Sequence, residues 1–225
     1  MTGGATLAAA SAPGQDLHDK ETTMTTRGLI DPELLPGLDM FPKLDLSPDT
    51  VPAARRQVAA MMALAPPANP ALATVVTHLV GAIEVRVFTP VGGDEALAHP
   101  ALLHLHAGGY VVGSAFGNDA AQAALCAELA CVIASVEYRL APEFPHPAPV
   151  EDAYAALKWL HGEAAALRVD PARIAVGGES AGGGLAAALA LLARDRGEVP
   201  IVFQHLIYPM LDLSLIHISE PTRPY

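Results

Sequence analysis

A serine flanked by glycines is the part of this sequence best suited to covalent chemistry. Residues 178–182 read Gly-Glu-Ser-Ala-Gly and stand between a predicted strand, residues 173–177, and a predicted helix that begins at Ala181. A serine at such a junction must occupy a sharp, strained turn, and the flanking glycines remove side chains that would clash there. The turn carries the Ser180 hydroxyl over the helix N-terminus, where negative charge is favoured. The spacing therefore predicts that Ser180 is a nucleophile.

A second interpretation of the same residues is a serine that caps a glycine-rich turn between strand and helix, as in nucleotide-binding folds. The glycines at 177–178 and 182–184 do not have the spacing Gly-x-x-x-x-Gly-Lys-Ser/Thr. A phosphate-binding loop is therefore disfavoured, because that loop needs its lysine and hydroxyl at fixed positions.

Residues 103–110 read Leu-His-Leu-His-Ala-Gly-Gly-Tyr and form the second chemical motif. Acyl transfer develops an oxyanion, which needs preorganised N–H donors about 3 Å away, and glycines after a strand allow bare backbone amides to approach it. The pair His104 and His106 could also ligate a metal from one face of a strand. No carboxylate or third histidine stands at a convincing spacing, so we expect no metal. His106 is predicted to orient the loop, and His104 to be packed in the strand.

Taken together, four segments resemble the hormone-sensitive-lipase group of α/β-hydrolases, which includes bacterial carboxylesterases. These segments are residues 106–113, 137–143, 178–183 and 208–212, which read HAGGYVVG, EYRLAPE, GESAGG and YPMLD. They occur in the order that the group shows, and the resemblance covers about residues 29–212. In that motif the group usually has glycine at the position of Ala107. Alanine there would strain the loop only if the position required a positive φ.

The resemblance implies ester hydrolysis by a Ser…Asp…His triad on a mostly parallel sheet flanked by helices, without metal or organic cofactor. Ser180 would attack the acyl carbonyl of a small-molecule ester, and the amides of Gly108, Gly109 and Ala181 would bind the oxyanion. Residues 28–68 would form an N-terminal cap segment, and residues 69–212 an incomplete hydrolase core. Arg139 and Glu143 are expected to form ion pairs that support a loop, with Asp152, Tyr154 and Trp159 architectural.

The acid and the base of the triad are not found in the remaining sequence. In the family they follow the serine, with further strands between them, and only residues 181–225 follow Ser180. We reject four candidates because of their positions in the predicted elements or the tail: Asp195, His205, Asp212 and His217. Residues 213–223 also look like the translation of a transposase sequencing adapter. We therefore expect residues 213–225 to be a non-native tail and the chain to be truncated, inactive and poorly soluble.

The elements that would position these motifs alternate along the chain. The predicted strands are residues 73–80, 83–88, 101–106, 131–138, 173–177 and 201–207, and the predicted helices are residues 49–65, 118–130, 151–161 and 181–196. Strand–helix alternation after residue 101 indicates a parallel sheet with right-handed crossovers. The first two strands could form an antiparallel edge. Ser47 is the predicted N-cap of the first helix, prolines 142–149 indicate a long loop, and Asp170-Pro171 indicates a turn.

Composition excludes several classes of protein. The chain has 225 residues, 52% of them hydrophobic, and 24 acidic against 13 basic side chains give a net charge of −11. It can bury a core, and it has no basic stripe for nucleic acid or anionic membrane. No segment has the length of a membrane span or the pattern of a signal peptide, so we expect a cytoplasmic protein. Cys126 and Cys131 are predicted to be buried and reduced.

Three functions remain to be compared at this point. The first is a carboxylic-ester hydrolase working through an acyl-enzyme, for which the charge and composition favour a neutral, lipophilic ester. The second is a non-catalytic small-molecule receptor on the same fold. A related peptidase is disfavoured, because no propeller-like repeat precedes the domain. Residues 1–27 are expected to be a disordered leader, with Met24 as a candidate start, and the oligomeric state is left open.

Overall fold

The computed structural model describes residues 26–40, 44–92 and 97–212, in two compact units. The first unit contains short helical pieces: 3-10 turns at Thr26–Leu29 and Pro32–Leu34, and helix α1, Leu35–Met40. The predicted leader falls outside the described residues, except that its last two residues belong to the first 3-10 turn. The predicted cap segment, residues 28–68, has parts in both units, and its role as a cap stays a prediction.

The second unit, residues 44–212, is a six-stranded sheet with helices. Its elements are α2 (Val51–Met62), β1 (Ala73–Val80), β2 (Ile83–Pro90), β3 (His99–Leu105), α3 (Asp119–Leu129), β4 (Val132–Glu137), α4 (Ala148–Gly162), β5 (Val169–Glu179), α5 (Ala181–Arg196) and β6 (Phe203–Ile207). The strand order is β1-β2-β4-β3-β5-β6. Strands β4, β3, β5 and β6 run parallel, whereas β2 is antiparallel to both of its neighbours. The predicted α/β fold with an antiparallel edge is confirmed.

Alternating side chains of the central strands divide the core between the two faces of the sheet. Leu103 and Leu105 of β3 pack with apolar residues of α4 and α5, including Leu157 and Leu189. Leu102, the intervening residue, packs on the opposite face with Ala123 and Cys126 of α3 and neighbouring residues. The sheet is therefore covered by α4 and α5 on one face and by α3 on the other. No helix in the described part of the chain is long and apolar enough to cross a membrane.

Several predicted boundaries are wrong for identifiable reasons. Ser47 does not cap α2; it begins a turn, and the helix starts at Val51 after Thr50. Helix α4 begins at Ala148, earlier than predicted, because Pro149 lies in its first turn, where a missing N–H is tolerated. Asp170-Pro171 does not form the predicted turn before the strand: both residues lie within β5, which begins at Val169 beyond a register shift against β3.

Candidate active site

Ser180 is the single residue between strand β5 and helix α5, as its motif predicts. Its backbone has φ 53° and ψ −115°, a combination that ordinary side chains rarely adopt and that costs on the order of 1–3 kcal/mol. Hydrogen bonds hold this conformation: the Ser180 amide donates to the Ile207 carbonyl at 3.0 Å, and the Ser180 carbonyl accepts from Met210 at 2.8 Å and Gly184 at 3.0 Å. The strained turn is therefore held by β6 and by the chain that follows it.

The two motif glycines allow this turn to approach strand β3. A Cβ atom added to Gly178 would lie 2.2 Å from the Leu105 carbonyl oxygen, and one added to Gly182 would lie 1.9 Å from the same atom. Both distances are far below van der Waals contact, so a side chain at either position would force the backbone to shift. The glycines are needed here because two backbone segments meet, which confirms the steric reason inferred from the sequence.

The loop after β3 that contains Gly108 and Gly109, called the glycine loop below, leaves the sheet beside the Ser180 turn. Leu105, the last residue of β3, pairs with Gly178 near the end of the parallel strand β5. Gly108 and Gly109 have φ values of 136° and 60°, and the amides of Val111 and Val112 donate to the Gly108 carbonyl. Ala107 is not among the residues with positive φ. Alanine in place of the usual glycine is therefore tolerated without strain at this position.

The amides that the sequence analysis assigns to the oxyanion make no backbone hydrogen bond as donors in the described part of the chain. They are the amides of Gly108, Gly109 and Ala181. Buried or half-buried backbone amides are nearly always paired, so amides left unpaired are open to a ligand. The Tyr110 amide likewise donates to no backbone carbonyl, so the choice of Gly108, Gly109 and Ala181 as the oxyanion donors stays a prediction.

His106 lies inside the molecule and fixes the start of the glycine loop. Its ring stacks on Tyr138, with centroids 4.1 Å apart, and the Tyr138 hydroxyl donates to the His106 carbonyl at 2.7 Å. The Nδ1 atom lies 2.8 Å from the Ala107 carbonyl oxygen and donates to it. Burial lowers the pKa of His106 from 6.5 to about 4, so the ring is neutral at pH 7. This geometry agrees with a loop-orienting residue, and burial favours the neutral form of its ring.

His104 has a larger role than the packing that the sequence suggested. It is buried as expected, but Nδ1 lies 3.0 Å from the Ser135 hydroxyl and Nε2 lies 3.1 Å from the carboxylate of Glu179, next to Ser180. Burial raises the pKa of Glu179, but the hydrogen bond and charge of His104 lower it, and the net direction is downward. No local pattern could have revealed this contact, because it joins residues on two different strands.

The structure provides no base for Ser180 among the described residues. No histidine in residues 26–40, 44–92 and 97–212 shares a hydrogen bond with it. Asp195 is paired with Arg194 on the surface of α5, His205 lies on β6, and His217 falls outside the described residues. The described chain also has no group of three or more His, Cys, Asp or Glu side chains that could hold a metal.

Arg139 and Glu143, expected to support a loop through ion pairs, each form one. Arg139 forms a bidentate pair with Asp152, with the closest contact at 2.7 Å, and its amide donates to the same carboxylate. Glu143 pairs with Arg55 of helix α2 at 2.8 Å. The predicted ion pairs are confirmed, although the sequence did not identify either partner.

An apolar cavity of about 510 Å³ opens beside Gly109 and Tyr110. Its walls include Leu185 of α5, Val150 of α4 and Met210. A larger space of about 810 Å³ lies at the opposite end of α5, against β6 and residues 199–204. That end is far from Ser180, because a helix of 16 residues is about 24 Å long. Of these two spaces, the cavity beside Gly109 is the better placed to receive a ligand of this site.

Comparison with known proteins identifies the family of this fold. Residues 102–224 match the family described as the alpha/beta hydrolase fold. The match runs through residues 213–224, so the foreign origin of that segment stays a prediction. The chain is 41% identical over 196 residues to carboxylesterase NlhH of Mycobacterium tuberculosis H37Rv, covering 85% of this chain and 61% of that protein. It is 43% identical over 133 residues to an ethyl acetate hydrolase of Pseudomonas putida, covering 59% and 42%.

Solved structures give the same result. A bacterial heroin esterase superposes with a TM-score of 0.70 at 41% identity, covering 80% of this chain and 58% of that one. An esterase of Pyrobaculum calidifontis superposes with a TM-score of 0.65 at 38% identity, covering 80% and 58%. The chain spans about 60% of the length of the curated relatives it matches most fully. With its fold, its motifs and its relatives in agreement, this chain belongs to the α/β-hydrolase family.

Proposed function

We propose that this chain is the nucleophile-bearing part of a carboxylic-ester hydrolase. The observation that carries the proposal is the turn at Ser180, with φ 53° and ψ −115°, between β5 and α5. A strained serine at this junction is the arrangement that presents a hydroxyl above an α/β-hydrolase sheet. The relatives named carboxylesterase and ethyl acetate hydrolase support the reaction class.

The chemistry follows from the groups around this serine. A base removes the Ser180 proton while Oγ attacks the ester carbonyl carbon, and the carbonyl oxygen becomes an oxyanion. The unpaired amides of Gly108, Gly109 and Ala181 would receive that oxyanion, and His106 would keep the glycine loop in place. The alcohol leaves with a proton, and water then hydrolyses the acyl-enzyme. No step requires a metal or an organic cofactor.

The substrate class that we propose is a small, neutral, lipophilic ester. The cavity beside Gly109 has mostly apolar walls and a volume of about 510 Å³, which suits a ligand of drug-like size or smaller. The net charge of −11 disfavours anionic esters in the surroundings of the site. We further propose a cytoplasmic enzyme, since Cys126 and Cys131 are both free and buried, as a reducing compartment would leave them.

The 225-residue polypeptide itself should be inactive. Without a base the Ser180 hydroxyl keeps its high pKa and is a poor nucleophile at neutral pH. An acid and a histidine encoded beyond codon 212 in the uninterrupted reading frame would complete the triad. A hydrolase of this kind that lacks a triad member keeps only about 10³–10⁴-fold acceleration over water.

Covalent labelling tests the proposal directly. A fluorophosphonate should label the protein encoded by the uninterrupted reading frame at Ser180, and that protein should hydrolyse a short-chain p-nitrophenyl ester. Ser180→Ala should abolish both the labelling and the hydrolysis. Ser47→Ala, which removes the hydroxyl of an exposed serine distant from Ser180 in the sequence, should change neither the labelling nor the hydrolysis. Absence of labelling together with tight binding of apolar esters would favour the receptor interpretation. Robust hydrolysis by the 225-residue chain, lost in Ser180→Ala, would refute its predicted inactivity.

A further inference from the structure

Arg55 of helix α2 makes an unusual set of contacts with the loops near the candidate site. Its Nε donates to the Val111 carbonyl at 2.8 Å, and one terminal nitrogen donates to the Ala141 carbonyl at 2.7 Å. Both terminal nitrogens also donate to the Glu143 carboxylate, at 2.9 and 2.8 Å. One guanidinium therefore joins α2, the glycine loop and the segment after β4.

The two carbonyl acceptors belong to a connected network around the glycine loop. The amides of Val111 and Val112 donate to the Gly108 carbonyl, so the Val111 peptide is part of the turn that contains the candidate oxyanion donors. The Ala141 amide donates to the Tyr110 carbonyl at 2.9 Å. Arg55 therefore holds this turn in two ways, directly at Val111 and indirectly through Ala141.

Electrostatic attraction alone does not explain this arrangement. The side chains of Arg55 and Glu143 are 30% and 50% exposed, and ion pairs with that much solvent contribute little to stability. The carboxylate contacts both terminal nitrogens and so fixes the plane of the guanidinium, which aims Nε at Val111. A lysine cannot reproduce these contacts, because an ammonium group lacks the planar fork.

We propose that Arg55 is a positioning residue that holds the turn at Gly108–Val112 in the geometry that binds the oxyanion. The effect of Arg55 on catalysis rests on the proposed esterase function, whereas its hold on the turn at Gly108–Val112 does not. A second contact supports it: the Met62 side chain, at the other end of α2, packs so closely on Gly117 that a Cβ there would lie 2.5 Å from its sulfur. Helix α2 thus contacts the segment between β3 and α3 at two separate positions, Val111 and Gly117.

Hydrogen exchange separates this role from simple anchoring of the helix. In the 225-residue chain, Arg55→Lys keeps the charge but loses the fork. The amides of Val111 and Val112 should then exchange about tenfold faster or more, the factor expected when a hydrogen bond to a charged group is lost. The amides of β3 and β4 should exchange as before. Arg173→Lys is the matched control, since Arg173 also donates to a carbonyl, that of Ala98, and pairs with an aspartate.

Faster exchange throughout the sheet in Arg55→Lys, or unchanged exchange at Val111 and Val112, would overturn the positioning role. If Arg55→Ala does not fold, Arg55→Lys still decides the question. In the protein of the uninterrupted reading frame, Arg55→Ala should lower kcat with KM nearly unchanged, and added methylguanidinium should restore kcat. An unchanged kcat would refute the catalytic part. If the parent protein hydrolyses no ester, the proposed function fails, and the exchange result still decides what Arg55 does.

Discussion

Replacing Gly182 by alanine adds one methyl group where two backbone segments meet. The new Cβ would lie 1.9 Å from the Leu105 carbonyl oxygen and 2.6 Å from the His106 carbonyl oxygen, whereas ordinary van der Waals contact begins at 3.4 Å. The Ser180 turn or the end of β3 must therefore move by about 1.5 Å. Neither can yield by rotating a side chain, because both neighbours are backbone atoms.

The size of the effect follows from two opposing contributions. Overpacking of this kind costs up to about 3 kcal/mol, and alanine gains about 1 kcal/mol over glycine inside a helix. The free energy of unfolding should therefore fall by about 2 kcal/mol. For a chain of this size that corresponds to a decrease in Tm of about 4–8 °C.

Chemical and thermal denaturation of two further glycine variants provides the comparison. Gly162→Ala, in the last turn of α4, meets no atom within 4 Å and should leave Tm unchanged or raise it slightly. Gly183→Ala, whose Cβ would lie 2.9 Å from the Gly178 carbonyl oxygen, should fall between the two. If Gly182→Ala proves as stable as Gly162→Ala, the close approach of the Ser180 turn to β3 is wrong.

Two other consequences can be measured on the same chain. The pKa of His106 lies at about 4 in the fold instead of 6.5, so between these values the unfolded chain binds a proton that the folded chain does not. The free energy of unfolding should therefore fall by about 3 kcal/mol as pH drops from 6.5 to 4. Urea denaturation at a series of pH values should show that His106→Phe loses this part of the pH dependence. The same pH dependence in both proteins would contradict the buried neutral ring. Phe203 is 64% exposed on β6, the last strand of the described sheet, and such an edge favours aggregation. Phe203→Lys should raise the concentration at which light scattering begins, more than Leu79→Lys does on β1 at the opposite edge; equal effects would show that the β6 edge is not the cause.

Local sequence signals were sufficient for much of this fold. The bounds of α5, Ala181–Arg196, are those that its composition and the glycine turn predict. The parallel strands follow from the alternation of apolar runs and helices, and the antiparallel edge from two adjacent β-branched runs. The strained backbone of Ser180 was also predicted, because the change from strand to helix within one residue allows few conformations.

Contacts between distant parts of the chain could not be predicted in this way. The Arg55 guanidinium meets its partners across 56 to 88 residues, and nothing near Arg55 in the sequence distinguishes it from its neighbour Arg56. The start of β5 at Val169 depends on pairing with His99, which overrides the local turn signal of Asp170. The hydrogen bond between His104 and Glu179 likewise depends on which strands are neighbours.

The register between β3 and β5 is the feature that brings the two chemical motifs together. Leu105 pairs with Gly178, so the chain leaving β3 as the glycine loop and the chain leaving β5 as the Ser180 turn emerge side by side. A slip of one residue would move every side chain of β5 to the other face of the sheet. The absence of side chains at Gly178 and Gly182 allows this register, because both positions meet the Leu105 carbonyl oxygen. The glycines of the serine motif therefore serve the sheet as much as the turn, since they permit β3 and β5 to end side by side.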